Sequence, residues 1–114
     1  MEDEMTVGTD LITAERKRQI ESEGWTLEHD RIEHDGGDAL AMAAVTYALP
    51  YYWRDGKRME FFWPWIEDSF KPTATEANLP TENRIRELTK AGALIAAEID
   101  RLSTAQVMRE TARP

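Results

Sequence analysis

From Ile85 to Leu102 large apolar residues return at alternating steps of three and four: Ile85, Leu88, Ile95, Ile99 and Leu102, with Gly92 in the remaining place. That spacing keeps one face of an α-helix apolar over nearly five turns. A non-helical stretch runs to Pro80, and Thr81 is placed to cap a helix covering about 82–102 or beyond. Ala93, Leu94 and Ala97 lie off this stripe. A second apolar face asks for a second packing partner, either another helix of the chain or another subunit. A chain of 114 residues organised around such a helix is expected to be mainly α, a small helical bundle.

Two further helices fit that frame. Thr9 or Asp10 can cap one that runs to about Glu23 and stops at Gly24. On its wheel Leu11 shares a face with Ala14, Glu15, Arg18 and Ser22, with Gln19 at the edge, while Ile12 and Ile20 lie off it. The helix is poorly amphipathic, and its expected inward face is largely polar. The run from Asp38 to Leu49 is apolar nearly all round and rich in alanine. It reads as a central, closely packed helix capped by Asp38 and ended by Pro50.

Between the central and last helices lies an aromatic segment. Tyr51, Tyr52 and Trp53 precede Asp55-Gly56, and Phe61, Phe62, Trp63 and Trp65 follow. Asp-Gly is favoured in two-residue type I′ turns, so the segment is expected to form an aromatic β-hairpin or an irregular loop. A lid on the core or a subunit interface accounts for it better than single-strand binding, because the chain is acidic. The whole is one domain over 1–114, with 1–8 and 104–114 flexible.

The net charge of −8 is not spread evenly. Residues 1–38 hold twelve acids against four bases, and the remainder is balanced. Such a segment repels a nucleic-acid backbone and favours cations or a basic protein surface, although it also serves as a solvated face. No apolar run is long enough to cross a membrane, and the first residues lack the basic and apolar parts of a secretory signal. There is no cysteine, which excludes disulfides and thiolate metal sites. These features fit a cytoplasmic protein.

Two constellations could carry chemistry. The short duplication Glu28-His29-Asp30 and Glu33-His34-Asp35, followed by Asp38, gathers both histidines among carboxylates. Imidazole with carboxylate suits zinc, manganese or iron, so His29, His34, Asp35 and Asp38 are candidate ligands of a divalent metal ion. The alternative is a solvated acidic loop with Asp38 as helix cap. The second constellation is the polar face of the first helix. Glu15 reaches Arg18 and Gln19 one turn on, and an arginine held by a carboxylate can still offer planar donors to a phosphate or carboxylate. Trp25 could stack on a base, and Lys90 could join from the last helix. Against this stands a purely structural ion pair.

No glycine-rich phosphate loop, G-x-S-x-G, HExxH or calcium loop is present. Several stretches together do resemble a family of small phage and prophage proteins. They are Glu15-Arg16-x-Arg18-Gln19, Glu23-Gly24-Trp25-Thr26-x-Glu28-His29-Asp30, Ala43-Ala44-x-x-Tyr47-Ala48, Trp63-Pro64-Trp65, and the run from Lys90 to Leu102. The resemblance implies a phage accessory protein working in the host cytoplasm. A second similarity is to the all-helical, MazG-like nucleotide pyrophosphohydrolases, which hold magnesium with ExxE and ExxD carboxylates on neighbouring helices. The nearest runs here are Asp30-x-x-Glu33, Asp35-x-x-Asp38 and Glu98-x-Asp100, and none reproduces that pair.

Three functions follow. The first is a ligand-binding module for a nucleotide or nucleotide-like molecule, with Glu15, Arg18, Gln19, Trp25 and Lys90 lining the site. The second is an acidic counter-defence inhibitor that engages a basic surface of a host protein. The third is a metal-dependent nucleotide pyrophosphohydrolase. Self-association into a homo-oligomer is expected with any of them, and direct nucleic-acid or membrane binding with none.

Overall fold

A computed structural model describes residues 6–23, 38–65 and 81–112. Helix α1 spans Val7–Glu23, α2 Ala39–Ala48, α3 Gly56–Phe62 and α4 Thr81–Thr111, with a 3-10 turn at Tyr51–Trp53. There is no strand among the described residues, so the mainly helical expectation holds. No helix among them is long and apolar enough to cross a membrane.

The expected hairpin does not form. Asp55 has extended backbone and accepts a hydrogen bond from the Arg58 amide at 2.9 Å, the geometry of a helix N-cap. Gly56 then opens α3 and avoids the left-handed backbone that a type I′ turn demands. The same Asp-Gly pair suits either outcome, and the cap wins. Trp63 ends the helix, its amide donating to the Met59 carbonyl at 2.9 Å, just before Pro64.

Helix α2 ends as its sequence requires. Leu49 closes it through a bond to the Val45 carbonyl, and Pro50 follows. Asp38 occupies the N-cap position, but its side chain makes no capping bond.

The core lies between α2 and α4. Leu40, Ala43, Ala44 and Tyr47 meet Ala91, Leu94 and Ala97, and Trp63 seals one side with Met59 and Trp65 against it. Tyr47, Trp63 and Trp65 form a chain of edge-to-face contacts, at 5.7 and 5.2 Å between ring centres. This part of the aromatic segment is a lid on the core, whereas Tyr52 and Phe61 are exposed.

The face that α4 turns inward is not the one its spacing indicated. Ile85, Leu88, Ile95, Ile99 and Leu102 are all exposed, while Glu87, Ala91, Leu94, Ala97, Glu98 and Arg101 are buried. The second apolar face is therefore the core face, and its partner is α2. The reason is size. An alanine-rich α2 gains most from close approach, and alanines on α4 allow it where a row of isoleucines would hold the axes apart. Helix α4 also continues without a break through Thr111, beyond the expected fraying point, and α1 begins at Val7 inside the expected flexible lead-in.

Polar groups complete the α2–α4 interface. Glu87 is fully buried and receives a two-pronged ion pair from Arg54, at 2.9 and 3.0 Å. Arg54 also donates to the carbonyls of Thr46 and Tyr47. Arg84 donates to those of Tyr47, Ala48 and Leu49. The two guanidiniums thus satisfy the carbonyls at the end of α2, where the helix dipole favours positive charge.

Candidate functional site

Helix α1 lies across α4, not alongside it. One edge, Leu11, Ala14 and Arg18, faces Glu82, Ile85, Arg86 and Thr89 on the N-terminal part of α4. The other edge sends Ile12 onto Gly92 and Arg16 to Asp100 at 3.5 Å, farther along α4. Leu11 and Ala14 are exposed, contrary to the expected inward face; the inward positions are Glu15, Arg16 and Gln19 with Ile12 half-buried. These four recur at helical spacing, and three of them are polar. Hydrophobicity could not have found that face.

Glu15 is the centre of the arrangement. It is buried, and both of its oxygens are used. Arg18 donates Nε to Oε1 at 2.9 Å and Nη2 to Oε2 at 2.8 Å, and Gln19 donates to Oε2 at 3.1 Å. Across the helix crossing, Arg86 donates to Oε1 at 2.6 Å. Burial alone would raise the pKa of this carboxyl, but hydrogen bonds from Arg18 and Arg86 and their charges outweigh it and hold the pKa at about 2. The carboxylate is ionised at any physiological pH.

The two arginines that Glu15 anchors are only half withdrawn from solvent. Arg18 keeps 40% and Arg86 38% of its side chain exposed. Both line an open groove of about 350 Å³ between α1 and α4, with Leu11, Ala14 and Ile85 as its apolar wall and Thr89 and Glu82 also on its lining. Lys90 stands one turn after Arg86, with its ammonium 5.3 Å from the Tyr47 ring centre. Burial and the nearby Arg86 charge lower its pKa, partly countered by Glu15. Three cations therefore gather round one buried carboxylate in a chain that is acidic overall.

Of the residues expected at the site, Glu15, Arg18 and Gln19 are joined by hydrogen bonds, Lys90 lies near enough to feel their charges but is not on the groove's lining, and Trp25 lies outside the described residues. Arg86 is the member the sequence reading missed. Its signal is available: it stands four residues before Lys90 and so shares that helix side. For the metal constellation, His29, His34 and Asp35 lie outside the described residues. Asp38 is exposed at the start of α2, and no cluster suited to a metal occurs among the described residues. Glu98 and Asp100, the acids nearest to the pyrophosphohydrolase pattern, point different ways. Glu98 is paired with Arg101 at 2.6 and 3.0 Å inside the fold, and Asp100 faces Arg16.

No protein-family model matches the chain, and no characterised protein or solved structure is significantly similar to it.

Proposed function

We propose that the protein is a binding module for a nucleotide or nucleotide-like small molecule, in keeping with the resemblance to phage accessory proteins. One observation carries this reading: a single buried carboxylate, Glu15, orients two half-exposed arginines from different helices along one groove. An exposed arginine samples many rotamers and loses that freedom on binding. Here Glu15 holds the Arg18 plane with two bonds and tethers Arg86 with one, so an anion meets partly preorganised donors. Arg18 and Arg86 together offer donors to a phosphate group, and the nearby Lys90 adds positive charge. The apolar wall of Leu11, Ala14 and Ile85 suits the flat face of a base or another apolar moiety.

A thermal-shift screen of mono-, di- and triphosphate nucleotides, with and without magnesium, tests the reading. A ligand at a hundred times its dissociation constant stabilises the fold by about 2.7 kcal/mol. Titration calorimetry on any hit should show binding that Arg86→Ala removes. A panel that shifts nothing, or a hit that binds Arg86→Ala unchanged, argues against it. Release of pyrophosphate or phosphate would move the protein from binder to hydrolase.

A further inference from the structure

We infer, building on the proposed nucleotide-binding role, that the groove between α1 and α4 selects a ligand with a single phosphate, and that Glu82 sets this limit. A nucleoside monophosphate, or an ester of like charge, is the class of ligand that fits. Donors on the lining are few. Its apolar wall has no polar side-chain atom, and Glu15 and Glu82 carry acceptors only. The hydroxyl of Thr89 donates to the Ile85 carbonyl at 2.7 Å. Donation to a phosphate therefore falls to the two guanidiniums. Arg18 has turned its Nε and Nη2 to Glu15. Arg86 gives Nη1 to Glu15 and makes no other hydrogen bond among the described residues, so its own Nε and Nη2 stay available. That edge is one fork, suited to two oxygens of one phosphate.

Charge sets the same ceiling. Arg18, Arg86 and the nearby Lys90 are three cations, and Glu15 and Glu82 are two carboxylates, which leaves a surplus of one positive charge. Glu87, which Lys90 also senses, is held by Arg54. A phosphate monoester carries roughly −1.5 to −2 at pH 7 and already exceeds that surplus. Further phosphates add negative charge with no cation to meet it, in a chain whose net charge is −8. Glu82 gives the limit a place. It stands one helical turn before Arg86, about 6 Å along the axis, exposed and on the same groove. A ribose hydroxyl or an amino group brought there donates to its carboxylate, whereas a second phosphate meets like charge. As an acid in the first turn of α4 it also suits the helix dipole, but only as an exposed and minor support of the fold.

Titration calorimetry at low salt and without magnesium compares each ribonucleoside with its mono-, di- and triphosphate, on wild type and on Glu82→Gln. In any series that binds, the monophosphate should be tightest. The bare nucleoside should be about tenfold weaker or more for want of its charge-assisted contacts, and the triphosphate about fivefold weaker, the size of an exposed like-charge contact. Glu82→Gln should bring the triphosphate level with the monophosphate and leave the melting temperature unchanged. The wild-type preference should also shrink as salt is raised, a readout that needs no variant. A wild-type chain that favours the triphosphate, or a preference that neither salt nor Glu82→Gln alters, overturns the charge limit while the binding role stands. If no nucleotide of any series binds, the binding role falls and the charge limit with it.

Discussion

Ile12 occupies the space that a side chain at residue 92 would need. A Cβ built on Gly92 falls 2.4 Å from Ile12 Cδ1 and 2.6 Å from its Cγ1. The glycine thus marks where α1 crosses α4, and a close approach, not backbone conformation, explains it.

Gly92→Ala has two opposed consequences. Alanine favours the helix by about 1 kcal/mol, whereas forcing an extra carbon into a packed contact costs about 1–3 kcal/mol. Ile12 is the flexible partner and only half-buried, so the net loss should be about 1 kcal/mol. On an Ile12→Ala background the clash is gone, and the same substitution should be neutral or stabilising. Chemical denaturation of the four proteins in that cycle checks the coupling, and additive effects would contradict the contact.

Glu87 is the buried charge on which the α2–α4 interface depends. Its carboxylate holds Arg54, and Arg54 in turn holds the last carbonyls of α2. Glu87→Ala leaves a buried guanidinium without its counter-charge and should cost roughly 3–5 kcal/mol, enough to unfold much of the population of a small domain. Arg54→Ala should cost a similar amount, and the double variant much less than the sum. A loss below 1 kcal/mol in urea for Glu87→Ala would show that solvent reaches the pair.

Glu15 makes stability depend on pH in a definite direction. Its carboxyl sits at about 2 in the fold, against 4.5 for an ordinary glutamate. The native state therefore binds this proton less readily than the unfolded chain does. Its contribution is complete above about pH 4.5 and disappears as pH falls toward 2. Full expression of that shift is on the order of 3 kcal/mol, reduced somewhat because solvent reaches both arginine partners. Urea midpoints of wild type and Glu15→Gln should differ most near neutral pH and converge near pH 2. A constant difference across that range would mean that the carboxylate is not the source.

How much of this could be read from the chain varies by element. The three main helices, the Pro50 stop and the Thr81 start were all legible, because caps, proline and periodicity act locally. The orientation of α4 was not. Its sequence carries two apolar faces, and which one meets the core depends on how closely α2 can approach. The Asp55-Gly56 pair was ambiguous for a related reason, since it serves equally as hairpin turn and helix cap. At the site, Glu15, Arg18 and Gln19 followed from helical spacing within α1. Arg86 could be found only through its spacing from Lys90, and the inward turn of Arg16 depends on the crossing of two distant segments, which no local pattern encodes. Leu94 shows the consequence. It packs inside the fold against α2, so Leu94→Glu should unfold the chain, not divide an assembly.

The arginines of the groove give the sharpest test, because structure and function there make different demands. Arg18 is 40% exposed, and Glu15 would keep Arg86 and Gln19 as donors without it. Arg18→Ala should therefore cost only about 1 kcal/mol, well below the penalty for orphaning a buried charge. Arg18→Lys should cost about as little, since an ammonium keeps the attraction but not the two-pronged fork. Binding should respond otherwise. Loss of one charge-assisted contact to an anion weakens affinity by roughly tenfold or more, and lysine recovers only part of it because its donors are not held in a plane. The two variants should then match in denaturation and separate in calorimetry with a nucleotide hit, in the order wild type, lysine, alanine. The opposite pattern, a loss of 3 kcal/mol or more in stability with affinity unchanged in the folded fraction, would make Arg18 a purely structural clamp and remove the groove from the function.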